Sequence, residues 1–353
     1  MQIKEIKAYG KELGLTRPYR ISYKEVTSVA NAFVEIHLQN GIVGYGSANP
    51  SKYVVSESAE DCISFLESED FSFLQGRSIR EFEALIREIN EKYRMRPGTL
   101  AALDIALHDA FTRFLQIPLH AFFGRSHISL PTSITIGLKP VDETLAEAAE
   151  YVGRGFRCIK VKTGEDPEKD SERVLKILEN HTGISVRVDA NQGYRPEEMQ
   201  SFVRFMGKSV EKLELVEQPY PTASFIENLQ TYRFKGIAAD ESLRNSYDAI
   251  KLARRRSVDI FNIKLMKCGG LTEAKRIASI AQQNSVSLMW GCNDESRISI
   301  AAALHLAYSY PHTKYIDLDG SFDLAEDLVA GGFDIRGGHL IPLEEPGLGV
   351  SRL

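Results

Sequence analysis

Several short segments of the chain combine apolar residues with charged side chains that could do acid–base chemistry. In "CIKVKTG", Lys160 and Lys162 are two residues apart, so on a β-strand both ammonium groups point to the same face. An edge or surface strand with solvated lysines would give the same pattern. Polar residues also close the segments "VRVDAN", "LELVEQP", "IAADES", "FNIKL" and "YIDLD". One or two of these could cap helices, but six such segments in succession indicate that the charged groups meet at one site.

Three of these segments end in carboxylates, Asp189, Glu217 and Asp240. If the three converge in a partly dry cleft without a cation, they repel each other strongly. Hard oxygen ligands of this kind suit Mg²⁺ or Mn²⁺, with the remaining coordination positions left to water and substrate. The sequence therefore predicts a divalent metal site.

The lysines are candidates for proton transfer. A lysine that is partly desolvated and near other cations has a lowered pKa and can act as a base. Lys160 and a metal ion would both lower the pKa of Lys162. Lys160 can also stabilise negative charge that develops on a substrate oxygen.

The spacing of the segments indicates how they are positioned. From Pro131 the pattern repeats as strand, helix, strand, and successive strand ends are separated by 26, 27, 28, 23, 24, 27 and 26 residues. The predicted strand ends are Ile136, Lys162, Asp189, Glu217, Asp240, Lys264, Gly291 and Asp317. Eight such strands predict an α/β fold, a (β/α)₇β TIM-like barrel whose strand C-termini meet at one rim. A doubly wound open sheet is the rival, but it gives no reason for a charged residue at nearly every strand end. In the barrel, Lys162 and Lys264 face each other across the mouth.

The first part of the chain has a different pattern. Residues 1–60 alternate in the β manner, with Asn40-Gly41 as a hairpin turn, and helical periodicity follows from about Ser56 to Phe123. We therefore predict an α+β capping domain at 1–124, the barrel at 125–320 and a C-terminal segment at 321–353 that packs back on the capping domain.

Composition limits the class of partner. The chain has 353 residues, 43% hydrophobic and 26% charged, with a net charge of −5 and a pI near 6.0. Nothing here favours nucleic acid or an anionic membrane, so we expect a small-molecule substrate. We find no signal peptide or membrane span, and the four cysteines form no paired pattern, which predicts a cytoplasmic protein. Whether the protein forms a homo-oligomer is left open.

Taken together, "KVK", "DAN", "EQP", "ADES" and "NIKLMKCGG" resemble the enolase superfamily, muconate-lactonizing-enzyme subgroup, over essentially the whole chain. The resemblance implies a Mg²⁺-dependent enzyme that forms an enolate by removing a proton α to a carboxylate or carbonyl. It makes Lys264 the second base, with Lys267 less favoured because it lies past the strand end. Two lysines on opposite faces of one carbon allow epimerisation or racemisation. Cycloisomerases and o-succinylbenzoate synthases share the constellation.

The end of the eighth predicted strand narrows the range of possible substrates. Asp317 and Asp319 in "YIDLDGS" project the same way and could hold an ammonium group, although Asp319 could also be a plain turn residue. An Asp-x-Asp here is similar to the dipeptide epimerases of the superfamily, in which it holds the α-amino group. The same resemblance implies a substrate contact for Thr135 and a basic residue at Lys24 of the closing loop. It makes L-Ala-D/L-Glu the first candidate substrate.

Two departures from the family pattern affect that choice. "WGCNDESRIS" places Asn293 and Asp294 beside the substrate, with Cys292 nearby, where relatives more often have apolar residues. A carboxylate there disfavours an acidic side chain and favours a neutral or cationic one. The second departure is Ser47, where relatives usually carry Glu.

Overall fold

The structure is a computed structural model that describes residues 1–21 and 24–353, without the side chains of residues 19–25. Its N-terminal part is an antiparallel sheet followed by helices. The strands are β1 Ile3–Ile21, β2 Lys24–Leu38 and β3 Val43–Ala48. The helices are α1 Ala59–Ser68, α2 Phe82–Tyr93, α3 Pro97–Leu115 and α4 Leu119–Phe123. The α3 helix packs on the sheet so closely that a Cβ at Gly46 would lie 1.9 Å from the carbonyl oxygen of Ala102.

A second sheet of eight parallel strands follows, and its order runs from the last strand to the first without a crossover. The strands are β5 Ile134–Ile136, β6 Cys158–Lys162, β7 Ser185–Asp189, β8 Leu213–Glu217, β9 Ile237–Ala239, β10 Ile260–Ile263, β11 Ser287–Gly291 and β12 Thr313–Asp317. The two end strands meet at a parallel bridge between Thr132 and Ile316. The sheet is therefore a nearly closed barrel, as the sequence predicts.

Helices connect the barrel strands along its outside. They are α5 Val141–Gly153, α6 Pro167–Asn180, α7 Pro196–Met206, α8 Phe225–Thr231, α9 Ser246–Arg255, α10 Leu265–Cys268, α11 Leu271–Gln283 and α12 Arg297–Ala307. Their starts follow local chemistry: the Asp166 side chain accepts from two backbone N–H groups at the start of α6, and Pro167 occupies the first helical position. No helix in the described part of the chain is long and apolar enough to cross a membrane.

Predicted and observed strand ends agree closely. Six of the eight coincide, whereas β9 ends at Ala239 and β10 at Ile263, one residue before the predicted ends Asp240 and Lys264. Both residues still follow directly on their strands, so the predicted order of polar groups around the rim is unchanged. Below the rim, Leu215, Ala238, Ile260 and Met289 form an apolar cluster.

Short strands connect the end of the chain to the rest. They are β4 Leu130–Pro131, β13 Val329–Gly331, β14 Phe333–Arg336, β15 His339–Pro342 and β16 Val350–Arg352. Asp109 of α3 accepts from the backbone N–H of Leu348 at 2.7 Å, and Leu15 of β1 bridges to Leu324. The C-terminal segment thus touches the N-terminal sheet and helices, while the division at 124 and 320 stays a prediction.

Candidate active site

The C-terminal ends of the barrel strands bring the predicted charged groups together. Parallel pairing sets Lys162 opposite Asp189, and Asp189 opposite Glu217. Lys160, Asp189, Glu217, Asp240 and Asp317 are each no more than 3% exposed. Because these side chains are removed from water, the charges must be balanced by one another or by a ligand.

Lys160 lies at the centre of the acidic groups. Its Nζ is 2.7 Å from Asp317 Oδ2, 2.9 Å from Glu217 Oε2 and 3.0 Å from Asp189 Oδ2. Burial lowers the pKa of Lys160, but the three carboxylates raise it by more, so it lies well above its usual value. Lys160 is therefore held as a cation, which suits it to stabilising an anion.

Lys162 and Lys264 lie on β6 and directly after β10, four strands apart in the eight-stranded order. In a nearly closed barrel, that separation puts them on opposite sides of the mouth. The Lys162 Nζ donates to Asp189 Oδ2 and to Asn191 Oδ1, both at 2.8 Å. The Lys264 Nζ lies 3.0 Å from Asp240 Oδ2. Both amines can therefore reach the space above the carboxylates.

The electrostatics of Lys264 differ from the sequence-based expectation of a lowered pKa for a lysine base. Burial lowers the pKa of Lys264, but the carboxylates of Asp240, Glu217 and Glu241 together raise it by more, so the net direction is upward. These carboxylates outweigh the neighbouring cations on which the expectation was based.

Lys267 has a different environment. Its Nζ donates to the carbonyl oxygens of Asp240 and Asn262, at 2.5 and 3.0 Å, and to Asp240 Oδ1. These contacts use all three N–H donors of the ammonium. Lys267 therefore holds Asp240 in place and has no hydrogen left for a substrate, which agrees with its lower ranking as a base.

The three predicted metal ligands differ in their electrostatics: burial raises the pKa of Asp189 and Asp240 but nearby lysines lower it by more, whereas the pKa of Glu217 is raised. Burial and the Asp189 charge raise the pKa of Glu217 to about 8. Glu217 Oε1 accepts from Asn262 at 2.7 Å, whereas Oε2 is buried without a hydrogen bond and has only the ion pair with Lys160. Glu241 Oε2 is likewise buried and without a hydrogen bond. Carboxylate oxygens that are buried without a hydrogen bond are donors that suit a hard divalent cation.

The positions of these carboxylates do not by themselves form a coordination shell. Within residues 1–21 and 24–353, no three His, Cys, Asp or Glu side chains are grouped closely enough to hold a metal ion. The reason is visible in the contacts, since Lys160 and Lys264 each lie against these oxygens. The donor types nevertheless fit Mg²⁺.

Asp317 and Asp319, predicted to act together, have different environments. Asp317 is buried and bonded to Lys160 and to Ser133 Oγ, at 2.7 and 2.6 Å. Asp319 is half-buried, and its Oδ2 accepts from the backbone N–H of Thr135 at 2.8 Å. Burial and the Asp317 charge raise the pKa of Asp319 to about 7. Asp319 is thus the more accessible of the two carboxylates, with charge still to be compensated.

The loop after β11 is fixed by the N-terminal sheet. The carbonyl oxygen of Asp294 accepts from Asn49 Nδ2 at 3.0 Å and from Asn31 Nδ2 at 3.5 Å. Asn293 Nδ2 donates to the Asn49 carbonyl oxygen at 2.8 Å. The negative charge of Asp294 contributes to raising the pKa of Asp323 after burial and Glu147. Asp294 therefore lies near Asp323, which also pairs with Arg17 at 3.8 Å.

The remaining predicted residues divide into three groups. The Cys292 Sγ contacts the Asp317 carbonyl oxygen at 3.3 Å, and burial raises the pKa of this thiol. Ser47 is buried and donates to Ser299 Oγ at 3.2 Å. The side chain of Lys24 lies outside the described residues.

Comparison with known proteins explains this arrangement. Residues 143–352 match the family model of the enolase C-terminal domain-like fold. Residues 5–124 match the mandelate racemase / muconate lactonizing enzyme N-terminal domain. The chain belongs to the enolase superfamily.

Its relatives are named dipeptide epimerases. The chain is 46% identical to the L-Lys-D/L-Arg epimerase of Methylococcus capsulatus over 99% of both chains. It is 45% identical to that of Desulforapulum autotrophicum over 100% of both. A Clostridium acetobutylicum L-Ala-D/L-Glu epimerase is 31% identical over 99% of both. The solved dipeptide epimerase of Methylococcus capsulatus, with Mg and L-Arg-D-Lys, matches with a TM-score of 0.94, 46% identity and 99% coverage of both chains.

These findings establish the enzyme class and correct the substrate. This member of the enolase superfamily is an isomerase of the racemase and epimerase type, acting on amino acid derivatives. The prediction of L-Ala-D/L-Glu as first candidate is wrong, because the relatives at 45–46% identity are named for Lys and Arg, and the L-Ala-D/L-Glu relative is less similar. The prediction gave more weight to Lys24 than to Asp294.

Sequence reasoning missed several residues of this superfamily member's site. They are Ser133, Arg187, Asn191, Glu241 and Asn262, with Asn31 and Asn49 from the N-terminal sheet. Asn191 and Asn262 stand inside the segments "DAN" and "FNIK", so their position beside the charged residues was the available signal. No local pattern marks the other amides, whose contacts join residues more than 240 positions apart.

Proposed function

We propose that this enzyme epimerises dipeptides with cationic side chains, by proton transfer between Lys162 and Lys264. The observation that carries the reaction type is the placement of these two lysines four strands apart around the barrel mouth. A carbon held between them presents one face to each amine. One amine removes the α-proton and the other returns a proton from the far side, which inverts the centre.

The buried groups between the lysines support the anion formed by proton removal. Lys160, fixed as a cation by Asp189, Glu217 and Asp317, is a preorganised donor for a substrate oxygen. Asp189, Glu217 and Asp240 are the residues that would hold Mg²⁺. When bound there, Mg²⁺ supplies the Lewis acidity that makes the adjacent C–H more acidic.

The free amino end of the dipeptide is assigned to Asp319, with Asp317 behind it and Thr135 fixing the carboxylate. An ammonium group removed from water needs a compensating charge, and Asp319 has the raised pKa of a carboxylate that lacks one. Lys24 stays a sequence-based prediction for contact with the substrate side chain.

Asp319 predicts a pH dependence. Its folded-state pKa of about 7 lies above the ordinary value, so the group is protonated in the free enzyme below that pH. Since only the carboxylate binds an ammonium strongly, kcat/KM should fall as pH decreases through about 7. Asp319→Asn should remove this fall of kcat/KM at low pH. It should also reduce kcat/KM by about 10- to 100-fold, which corresponds to the loss of a hydrogen bond to a charged group. The measurement is kcat/KM from pH 5.5 to 8.

N-acetylated dipeptides provide the matching control. They lack the ammonium, so wild-type kcat/KM for them should be low and should differ little from that of Asp319→Asn. Equal turnover of free and acetylated dipeptides by the wild-type enzyme would contradict this assignment.

Cationic specificity is supported by Asp294 and Asp323. Asp294 adds negative charge near Asp323, which favours a nearby lysine or arginine side chain of the substrate and disfavours a glutamate, while Arg17 also pairs with Asp323 at 3.8 Å. The names of the relatives at 45–46% identity agree with this preference. Dipeptides built from Lys and Arg are therefore the proposed substrates.

Asp294→Asn tests the specificity. It should lower kcat/KM for a Lys- or Arg-containing dipeptide by about 10-fold or more, the value of a charge-assisted contact. The rate with a neutral dipeptide such as Ala-Val should change little, because the asparagine keeps the backbone carbonyl that Asn49 holds. Parallel loss with both substrates would mean that Asp294 supports the loop and does not select the side chain.

A further inference from the structure

Arg187 places a guanidinium inside the barrel, beneath the catalytic rim. It stands beside Lys160 in the β6–β7 register and two residues before Asp189, so its side chain lies one layer below that carboxylate. It is 2% exposed. Burying a cation costs several kcal/mol unless hydrogen bonds compensate, and barrel interiors are usually filled with branched apolar residues. The proton-transfer mechanism does not use Arg187, so its retention needs another explanation.

The guanidinium reaches the seam where the first and last barrel strands meet. Arg187 Nη1 donates to the Ile316 carbonyl oxygen at 2.7 Å and to Ser133 Oγ at 3.0 Å. Ile316 also accepts from the Ser133 backbone N–H at 3.1 Å, so all three residues meet at the seam. At its other side, Arg187 Nε donates to Glu214 Oε2 at 2.8 Å. Arg187 is thereby held rigidly under the end of β12.

Ser133 connects Arg187 to Asp317 through hydrogen bonds. A serine hydroxyl has one hydrogen to donate, and the 2.6 Å contact with Asp317 Oδ1 takes it, while the oxygen accepts from Arg187. Asp317 Oδ2 accepts from Lys160 Nζ at 2.7 Å. A continuous series of hydrogen bonds therefore runs from Arg187 through Ser133 and Asp317 to Lys160.

We propose that Ser133 and Arg187 are positioning residues that hold Asp317 against Lys160 and so limit the pairing of Lys160 with Asp189 and Glu217. This inference rests on the proposed function, in which those two acids hold Mg²⁺ and Lys160 faces a substrate oxygen. The Lys160 ammonium lies at nearly equal distances from all three acids. Asp317 is the acid of the three that has no assigned metal role, and Ser133 fixes its orientation.

Ser133→Ala removes the bond to Asp317 with the loss of one oxygen atom. Asp317 then becomes free to rotate, and Lys160 pairs more fully with Asp189 and Glu217, in competition with the metal. The Kd for Mg²⁺, measured by calorimetry on the substrate-free protein, should rise by about 3- to 10-fold, and kcat should fall by about 10- to 100-fold. KM should change by less than about threefold, because Asp319 still receives the ammonium.

Thr132→Ala is the matched control. Thr132 is the adjacent buried hydroxyl at the same seam, and its Oγ1 accepts from the backbone of Leu318 and donates to the carbonyl oxygen of Ser133, without touching Asp317. A purely structural role for Ser133 predicts the same result in both variants. The proposal predicts that Thr132→Ala retains wild-type Mg²⁺ affinity and kcat.

A second variant makes the test independent of how Ser133→Ala folds. Arg187→Lys keeps the positive charge. A lysine ammonium, however, lacks the planar set of N–H donors with which the guanidinium hydrogen-bonds Ser133, Ile316 and Glu214 at the same time. It should weaken Mg²⁺ binding and lower kcat in the same direction. Wild-type Mg²⁺ affinity and kcat in folded Ser133→Ala, or in Arg187→Lys if the former does not fold, would overturn the proposal. If the wild-type protein binds Mg²⁺ yet epimerises no dipeptide, the proposed function fails, and the calorimetric comparison still decides the role of Ser133.

Discussion

Replacing either Lys162 or Lys264 by alanine should abolish epimerisation, with kcat reduced by about 10³-fold or more, within the range attributed to a positioned general acid or base. The reason is geometric: the two lysines lie four strands apart, so in the proposed mechanism each amine serves one face of the substrate carbon. Each variant should still exchange the α-proton of the one epimer whose C–H faces the surviving lysine. Deuterium incorporation in D₂O, followed by mass spectrometry for both epimers, measures this directly.

Charge and base function can be separated at the same position. Lys162→Arg keeps a cation near Asp189 and Asn191, but a guanidinium stays protonated at any working pH and cannot remove a proton. It should therefore be as inactive in epimerisation as Lys162→Ala. Lys169→Ala, which removes an exposed lysine on α6, should leave activity unchanged. If Lys162→Arg retained substantial epimerisation, Lys162 would be needed for its charge and the two-base mechanism would be excluded.

The sequence was sufficient to predict the barrel and the order of groups around its rim. Period-two alternation fixes which side chains of a strand face inward, and a regular strand spacing brings all strand ends to one rim. Lys160, Lys162, Asp189 and Glu217 are therefore neighbours for reasons that are local in sequence. The predicted ends of two strands, Asp240 and Lys264, are each one residue too late. Where these strands end depends on their pairing with the neighbouring strands.

Contacts between distant parts of the chain could not be predicted from the sequence. Nothing local indicates that Asn49 holds the Asp294 carbonyl, or that Arg187 reaches Ser133 across the barrel. The upward shift of the Lys264 pKa could not be predicted from the sequence for a similar reason, because it depends on contact with Asp240 and on other nearby carboxylates. The predicted substrate was wrong for the same reason. The choice depends on whether Lys24 or Asp294 approaches the side chain of the substrate, which is a contact between distant parts of the chain.

Glu217→Gln should nearly eliminate Mg²⁺ binding and activity while leaving the fold intact. It removes one of three carboxylates in the proposed metal site, so the loss of affinity should exceed the roughly 10- to 100-fold that follows changes to outer-shell partners. Calorimetry on the substrate-free protein gives the affinity. Treatment of the wild-type enzyme with EDTA should abolish epimerisation, and added Mg²⁺ should restore it.

The stability of Glu217→Gln distinguishes metal loss from misfolding. Burial and Asp189 raise the pKa of Glu217 to about 8, above its ordinary value, so ionisation of the unfolded chain opposes folding increasingly as pH rises between these values. A neutral glutamine removes that cost, and in EDTA at pH 7.5 the variant should melt no lower than the wild type. Mg²⁺ at 100 times its Kd should stabilise the wild type by about 2.7 kcal/mol and the variant far less.

Asp104→Asn provides the control for this prediction. Asp104 is also fully buried, but it accepts from the backbone of Leu271 and Thr272 at the start of α11 and is not one of the proposed metal ligands. Its replacement should lower the melting temperature, because it weakens the acceptor at that helix start, yet the stabilisation by Mg²⁺ should remain as large as in the wild type. A Glu217→Gln protein that gained the full Mg²⁺ stabilisation would exclude Glu217 as a ligand and would leave Lys160 as the partner of its Oε2.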